Sequence, residues 1–238
     1  MTKSQLQNAV LCGLDTPDVE RARALIQSVK PHVGGFKLGL EFFNANGPEK
    51  LGALIEEEQV PVFADLKFHD IPNTVAGAVR SLLTYAKPFM LNVHASGGAE
   101  MMQRAVQMAE DMRGADRPQV IAVTILTSLD EPAMGQVGFR GSPSDMVRRL
   151  AALAQEAGLD GVVCSAHEVA VLRADLGDDF TLVVPGIRPA GSAVNDQKRV
   201  MTPRAALDAG ATHLVIARPI IAADDPVAAA KSIAEEIA

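Results

Sequence analysis

The chain has 238 residues, a net charge of −7, hydrophobic residues at 48% of its positions and no tryptophan. This length and composition fit one large α/β domain spanning residues 1–238 better than two small domains. A negative net charge without a Lys and Arg cluster argues against a nucleic-acid-binding surface. Any anionic ligand would therefore have to be bound by a few local positive charges.

The sequence also predicts where the protein resides. No apolar run approaches the roughly 20 residues that a membrane-spanning helix needs, and the first residues lead into a strand-like run rather than a secretory signal. Cys12 and Cys164 both lie inside apolar runs, where a small buried side chain is expected rather than a disulfide or a metal ligand. We therefore expect a reduced, cytoplasmic protein that does not bind membranes.

Eight repeats of an apolar run, a polar turn and an amphipathic stretch follow one another along the chain. The predicted strands are Val10–Asp15, Gly35–Leu40, Val60–Lys67, Phe89–His94, Gln119–Leu126, Gly161–Ser165, Thr181–Gly186 and His213–Ala217. The predicted helices are Val19–Val29, Glu49–Glu58, Thr74–Thr84, Ala99–Met112, Pro143–Ala157, Glu168–Asp175, Pro203–Ala209 and Pro226–Ile237. Each repeat has about 30 residues, the size of one βα unit.

These repeats indicate the fold class. Strands that are apolar on both faces indicate a parallel sheet covered on both sides, and eight such units predict a closed (β/α)8 TIM barrel. The alternative, an open doubly wound sheet, would need a glycine-rich phosphate turn after the first strand, and no such motif occurs. The longest irregular stretch, Pro185–Thr202, is longer than packing requires and is typical of a lid.

Polar residues gather at the carboxyl ends of the predicted strands, where barrel enzymes build their active sites. Asp65 and Lys67 close the third strand, and residues two apart in a strand point to the same face. A purely structural ion pair is the alternative interpretation. Polar side chains at the ends of other strands favour a binding site over a structural ion pair, because independent units supply them to one place. These residues are Asp15, Lys37, Thr127, Arg188 and Arg218.

Two arginines and one glutamine are candidate phosphate ligands. Arg188 and Arg218 follow the seventh and eighth predicted strands, and a guanidinium matches phosphate oxygens. Gln197, in the long loop, could add a donor if that loop folds over a ligand. Solvated surface residues are the alternative for all three.

The histidines carry less information. His94 ends the fourth predicted strand and could face the site or form a structural hydrogen bond. No histidine or cysteine spacing is typical of a metal site, so no metal is expected, although carboxylates could hold Mg²⁺.

The segment 65–74 reads Asp-Leu-Lys-Phe-His-Asp-Ile-Pro-Asn-Thr and resembles the signature of the orotidine 5′-phosphate decarboxylase family. The motif Asp-x-Lys-x-x-Asp alone is shared with sugar-phosphate relatives, whereas the Asp-Ile-Pro-Asn-Thr continuation favours the orotidylate branch. Further matches run in order along the chain: Leu14-Asp15, Phe36-Lys37-Leu38-Gly39, Leu126-Thr127-Ser128, Pro185-Gly186-Ile187-Arg188, Asp196-Gln197-Lys198-Arg199 and Ala217-Arg218-Pro219-Ile220.

The resemblance implies a homodimer that decarboxylates a nucleotide, orotidine 5′-phosphate, to UMP without a cofactor. It implies a catalytic array of Lys37, Asp65, Lys67 and Asp70, with Asp70 and Thr74 reaching into the partner's site. The implied substrate-binding residues are Asp15, Lys37, Asp65, Thr74, Thr127, Ser128, Pro185, Arg188, Gln197, Ala217 and Arg218. One departure is Ala217, where the family usually has glycine; alanine is tolerated there if its φ is negative.

Loss of CO₂ leaves a carbanion on the ring, and nothing in the sequence suggests pyridoxal, thiamin or a metal as an electron sink. A lysine ammonium beside the carbanion would stabilise its charge and deliver a proton, so Lys67 is the predicted proton donor. Two other functions stay open. A Schiff-base aldolase could use Lys37 or Lys67 as its nucleophile. A non-catalytic phosphate-binding barrel would be expected to have lost part of the four-residue array, yet all four residues are present.

Overall fold

A computed structural model describes residues 9–189 and 201–237 of the chain. Its parallel strands pair in sequence order, and the last strand pairs with the first, which closes a barrel. The strands are β1 (Val10–Leu14), β2 (Gly35–Gly39), β3 (Val62–Phe68), β4 (Met90–His94), β5 (Gln119–Val123), β6 (Gly161–Val163), β7 (Thr181–Val184) and β8 (His213–Ile216). The predicted (β/α)8 barrel is confirmed, while its extension to residues 1–238 as one domain stays a prediction.

Helices alternate with the strands and surround the barrel. They are α1 (Val19–Val29), α2 (Leu40–Glu58), α3 (Pro72–Tyr85), α4 (Ala99–Arg113), α5 (Glu131–Gln136), α6 (Pro143–Glu156), α7 (Val169–Leu176), α8 (Pro203–Asp208), α9 (Arg218–Ile221) and α10 (Pro226–Glu236). Short 3₁₀ turns cover Lys30–His32, Ala95–Gly97, Gly114–Asp116 and Ala166–Glu168. None of the helices in these described ranges is long and apolar enough to cross a membrane.

The structure differs from the prediction at several element boundaries. Helix α2 begins at Leu40 and is broken at Gly47, whose φ of 73° only glycine adopts easily, so the predicted Glu49–Glu58 is its second half. Strand β5 ends at Val123 rather than Leu126. The short helices α5 and α9 were not predicted, because helical periodicity is a weak signal at this length.

The core has two layers, as the alternation of side chains in a buried strand requires. One layer fills the space between the strands and the helices, and Cys12 and Cys164 are free and fully buried within it. The other layer fills the barrel interior and consists of Leu11, Phe63, Met90, Ile121, Val183 and Val215. This interior layer lies directly beneath the polar residues at the carboxyl end of the barrel.

Candidate active site

Four charged side chains from three adjacent strands form a line of alternating sign at the carboxyl end of the barrel. Lys37 Nζ in β2 lies 3.6 Å from Asp15 Oδ1, just after β1, and 3.3 Å from Asp65 Oδ2 in β3. Lys67 Nζ lies 2.6 Å from Asp65 Oδ1. We call Asp15, Lys37, Asp65 and Lys67 the charged line. The structure therefore brings together four of the residues that the sequence predicted, with Asp65 in contact with both lysines.

Asp65 is the most buried member of the charged line, with 8% of its surface exposed. Burial alone would raise the pKa of this carboxyl group. The charges of Lys37 and Lys67, together with hydrogen bonds from Lys67 and Asn92, outweigh burial and hold the pKa of Asp65 below its usual value. Asp65 is therefore an ionised carboxylate at neutral pH, fixed between two ammonium groups.

The backbone at Lys67 is not that of a regular strand. Its φ is 50°, in the left-handed region, which costs a non-glycine residue about 1–3 kcal/mol. Beside it, β3 and β4 lose their regular register between Ala64 and Phe68. The side-by-side placement of Asp65 and Lys67 is confirmed, but the regular strand geometry from which it was predicted is wrong, because Lys67 is left-handed and lies within the register shift between β3 and β4.

Asn92 in β4 is the polar residue that the sequence reasoning missed. It is fully buried, accepts a hydrogen bond from the Lys67 backbone N–H at 2.8 Å and donates one to Asp65 Oδ1 at 2.7 Å. The signal that could have found it is an amide inside the otherwise apolar run Met90–Val93, because buried polar groups need a partner.

A cavity of about 170 Å³ opens beside the charged line. Lys37, Asp65 and Lys67 line one part of it, and apolar side chains including Phe63, Ile125, Val163, Val183 and Val215 line the rest. The predicted residues Thr127 and Pro185 also line this cavity, while Ser128 is exposed next to Thr127. The cavity therefore has a charged wall and a largely apolar lining elsewhere, the combination typical of small-molecule sites.

The predicted phosphate ligands lie after β7 and β8. Arg188 is buried, with 8% exposed; its backbone N–H donates to Met201 O at 3.1 Å and its guanidinium donates to Ile187 O at 2.9 Å. Burial excludes the surface-charge interpretation for Arg188. Arg218 is exposed at the first position of α9. Gln197 and most of the predicted lid, Pro185–Thr202, lie outside the described residues.

The predicted interface residues follow β3. Asp70 and Thr74 are exposed, and Asp70 Oδ1 accepts the backbone N–H of Ile71 at 2.6 Å. Ile71 itself is 66% exposed at the start of α3. Among the described residues of one chain, Asp70 does not join the charged line.

His94 lies half-buried at the end of β4, with its ring centroid 5.2 Å from that of His69. Burial, aided by the neighbouring His69 and Lys67, lowers the pKa of His94. Burial raises the pKa of the Cys12 thiol to about 12, and it raises that of Cys164 as well, so neither is an activated nucleophile. Across residues 9–189 and 201–237, no three His, Cys, Asp or Glu side chains are grouped as metal ligands.

A closed parallel barrel with ionised side chains and a cavity at the carboxyl ends of its strands is the arrangement of a (β/α)8 barrel enzyme. Residues 8–233 match the Orotidine 5′-phosphate decarboxylase / HUMPS family. The chain belongs to this family.

Individual relatives agree with that assignment. The chain is 54% identical to the orotidine 5′-phosphate decarboxylase of Rhodospirillum rubrum, over 97% of this chain and 94% of the relative. It is 49% identical to that of Moorella thermoacetica, over 100% of this chain and 95% of the relative. The crystal structure of orotidine 5′-phosphate decarboxylase from Lactobacillus acidophilus superposes with a TM-score of 0.83 at 34% identity, covering 96% of this chain and 98% of that one.

Ala217, where the resemblance predicts glycine, has a φ of −110°, so it lies outside the left-handed region that favours glycine and meets the expected condition of a negative φ. The methyl group of Ala217 does, however, limit the size of the residue that can stand at position 13 in β1. A Cβ added to Gly13 would lie 2.8 Å from Ala217 Cβ and 3.3 Å from Lys37 Cε. Gly13 and Ala217 are therefore matched in size beside the charged line.

This match predicts a double-mutant cycle. Gly13→Ala should lower the free energy of unfolding by about 1–3 kcal/mol, because it overpacks a tight site. Combining it with Ala217→Gly should recover most of that loss, since the closest contact disappears. Urea unfolding of the four proteins measures the coupling. Gly135→Ala, whose added Cβ meets nothing within 4 Å, is the control. Additive effects of the two changes would contradict the size match.

Proposed function

We propose that the protein decarboxylates orotidine 5′-phosphate to UMP and CO₂, and that Lys67 protonates the product carbon. The observation that carries the proposal is the charged line, in which Lys67 Nζ contacts a buried carboxylate at 2.6 Å beside the cavity. The names of the similar proteins and the family of the chain support this substrate.

The chemistry requires a stabilised carbanion. The bond from the ring carbon to the carboxylate breaks, CO₂ leaves, and the electron pair stays on the ring carbon. Lys67 then gives a proton from Nζ to that carbon and recovers one from water. An ammonium held at a fixed place stabilises the charge as it develops, without reorganisation at the moment of reaction.

Repulsion between Asp65 and the substrate carboxylate is a smaller contribution. Two like charges about 4 Å apart repel by about 4 kcal/mol at an effective dielectric of about 20. Enzymes lower barriers by roughly 8–23 kcal/mol. Stabilisation of the carbanion by Lys67, held by Asp65 of its own chain and, in the dimer proposed below, by the Asp70 that the second subunit lends, therefore carries the larger share of catalysis.

The remaining predicted residues are proposed to bind substrate. Asp15 and Lys37 bind the ribose hydroxyls, because Asp15 is the exposed end of the charged line and Lys37 lies 3.6 Å from it. Thr127 or Ser128 binds the edge of the pyrimidine, with Pro185 beside it. The phosphate is held by Arg188, Gln197, Arg218 and the backbone N–H of Ala217.

The active form is proposed to be a homodimer. Asp70 and Thr74 are exposed, and Asp70 does not join the charged line among the described residues of its own chain, as expected of residues lent to a partner. The 66% exposed Ile71 between them would be covered by the second subunit. We also propose that the protein works in the cytoplasm, in keeping with two free, buried cysteines.

Lys67→Ala tests the proton donor. Decarboxylation, followed by the change in ultraviolet absorbance of orotidine 5′-phosphate, should fall below a tenth of the wild-type rate, because the group that protonates the carbon is gone. UMP binding should remain measurable by calorimetry. Lys231→Ala, an exposed change in α10, is the control and should keep full activity. A variant that retains a tenth or more of the rate would remove Lys67 from this role.

Mixed dimers test the shared site. Lys67→Ala and Asp70→Ala are each expected to be inactive alone. If Asp70 acts in the partner's site, a mixed dimer has one site with both residues intact, so an equal mixture should regain about a quarter of wild-type activity after subunit exchange. If Asp70 acts in its own chain's site, mixing restores nothing. Activity is read after co-refolding or co-expression of the two variants.

A further inference from the structure

We infer that Asn92 is a positioning residue that sets the geometry of the Asp65 and Lys67 pair for the reaction. This inference rests on the proposed decarboxylation. Asn92 does not line the cavity, and it acts through the two residues that do. Its role is to hold a strained lysine backbone and to decide which carboxylate oxygen faces which lysine.

The amide of Asn92 has only one orientation that satisfies its neighbours. The Lys67 backbone N–H can only donate, and it meets Asn92 Oδ1 at 2.8 Å. The ionised Asp65 carboxylate can only accept, and its Oδ1 meets Asn92 Nδ2 at 2.7 Å. Because the residue has 0% of its surface exposed, bulk water does not compete for either bond.

Asn92 stands opposite the bulge in β3. The pairs Ala64 with Leu91 and Phe68 with Val93 flank the irregularity. Three residues of β3, 65–67, therefore face Asn92 alone. A side-chain amide reaches across this gap to the displaced N–H of Lys67, which supports a φ of 50° that a lysine rarely adopts.

The same amide orients the carboxylate. Asp65 Oδ1 accepts from both Asn92 Nδ2 and Lys67 Nζ, at 2.7 and 2.6 Å. The other oxygen, Oδ2, is left for Lys37 Nζ at 3.3 Å. With Nδ2 fixed in the barrel wall, the carboxylate cannot rotate to give Lys67 the oxygen that Lys37 uses. The position of the Lys67 ammonium therefore depends on Asn92.

Asn92→Ala removes both bonds, and Asn92→Asp keeps an acceptor for the Lys67 N–H but removes the donor to Asp65. We expect kcat to fall roughly 10- to 100-fold in each, the loss that a displacement of about 1 Å at the reacting centre produces. Affinity for UMP, measured by calorimetry, should stay unchanged, because the proposed phosphate and ribose ligands lie on other strands.

A pH profile separates positioning from simple loss of stability. Without the Nδ2 donor the carboxyl of Asp65 protonates more easily, so the acid limb of kcat/KM should move to higher pH, further in Asn92→Asp than in Asn92→Ala. Lys37, Lys67 and His94 also act on Asp65, and all three are present in every variant. Thr181→Val, which removes a partly buried hydrogen bond to Gln119 at the far end of the barrel, is the control and should keep the wild-type profile.

The outcomes are distinct. A wild-type protein that does not convert orotidine 5′-phosphate overturns the proposed function itself. If the wild type is active but both Asn92 variants keep the wild-type kcat and the wild-type acid limb of kcat/KM, the role of Asn92 is overturned while the proposed function stands. Folded variants in which UMP affinity falls as far as kcat would also overturn the positioning role. If both Asn92 variants fail to fold while Thr181→Val folds, Asn92 is structural and the positioning role is overturned as well.

Discussion

The contact between Lys67 Nζ and Asp65 Oδ1, at 2.6 Å, is the interaction on which the rest of the site depends. A carboxylate with 8% of its surface exposed is costly unless cations and donors surround it. Lys37, Lys67 and Asn92 supply these cations and donors from three strands. Each of the three side chains is in turn held in place by its contact with Asp65. The same constraint that keeps Asp65 ionised therefore holds an ammonium at the wall of the cavity.

The barrel makes this contact possible because its parallel strands all end at one face. β1, β2 and β3 are neighbours, so their terminal charges follow one another in space as Asp15, Lys37 and Asp65. The pairing also argues against a Schiff-base aldolase, because an ion-paired ammonium has no free electron pair to attack a carbonyl. A binding barrel without catalysis would have no need for a strained backbone at Lys67.

Much of this arrangement could be predicted from local sequence. The apolar runs located the strands, and the polar residues that end them located the site, since both signals lie within a few neighbouring positions. The bulge could not be predicted, because it depends on the register between β3 and β4, which are separate in sequence. For the same reason the role of Asn92 was missed, as its partners lie 25 and 27 residues away. The size match of Gly13 with Ala217 likewise joins the two ends of the chain.

The central claim is that the charged line stabilises a carbanion on the pyrimidine ring, and hydrogen exchange of the product tests it without decarboxylation. UMP incubated with the protein in D₂O should exchange the hydrogen on the ring carbon that carried the carboxylate, because protonation of that carbon is reversible at the same site. Nuclear magnetic resonance would show the signal of that hydrogen disappearing faster than in buffer alone. Exchange no faster than in buffer, from protein that binds UMP, would contradict carbanion stabilisation as the basis of the reaction.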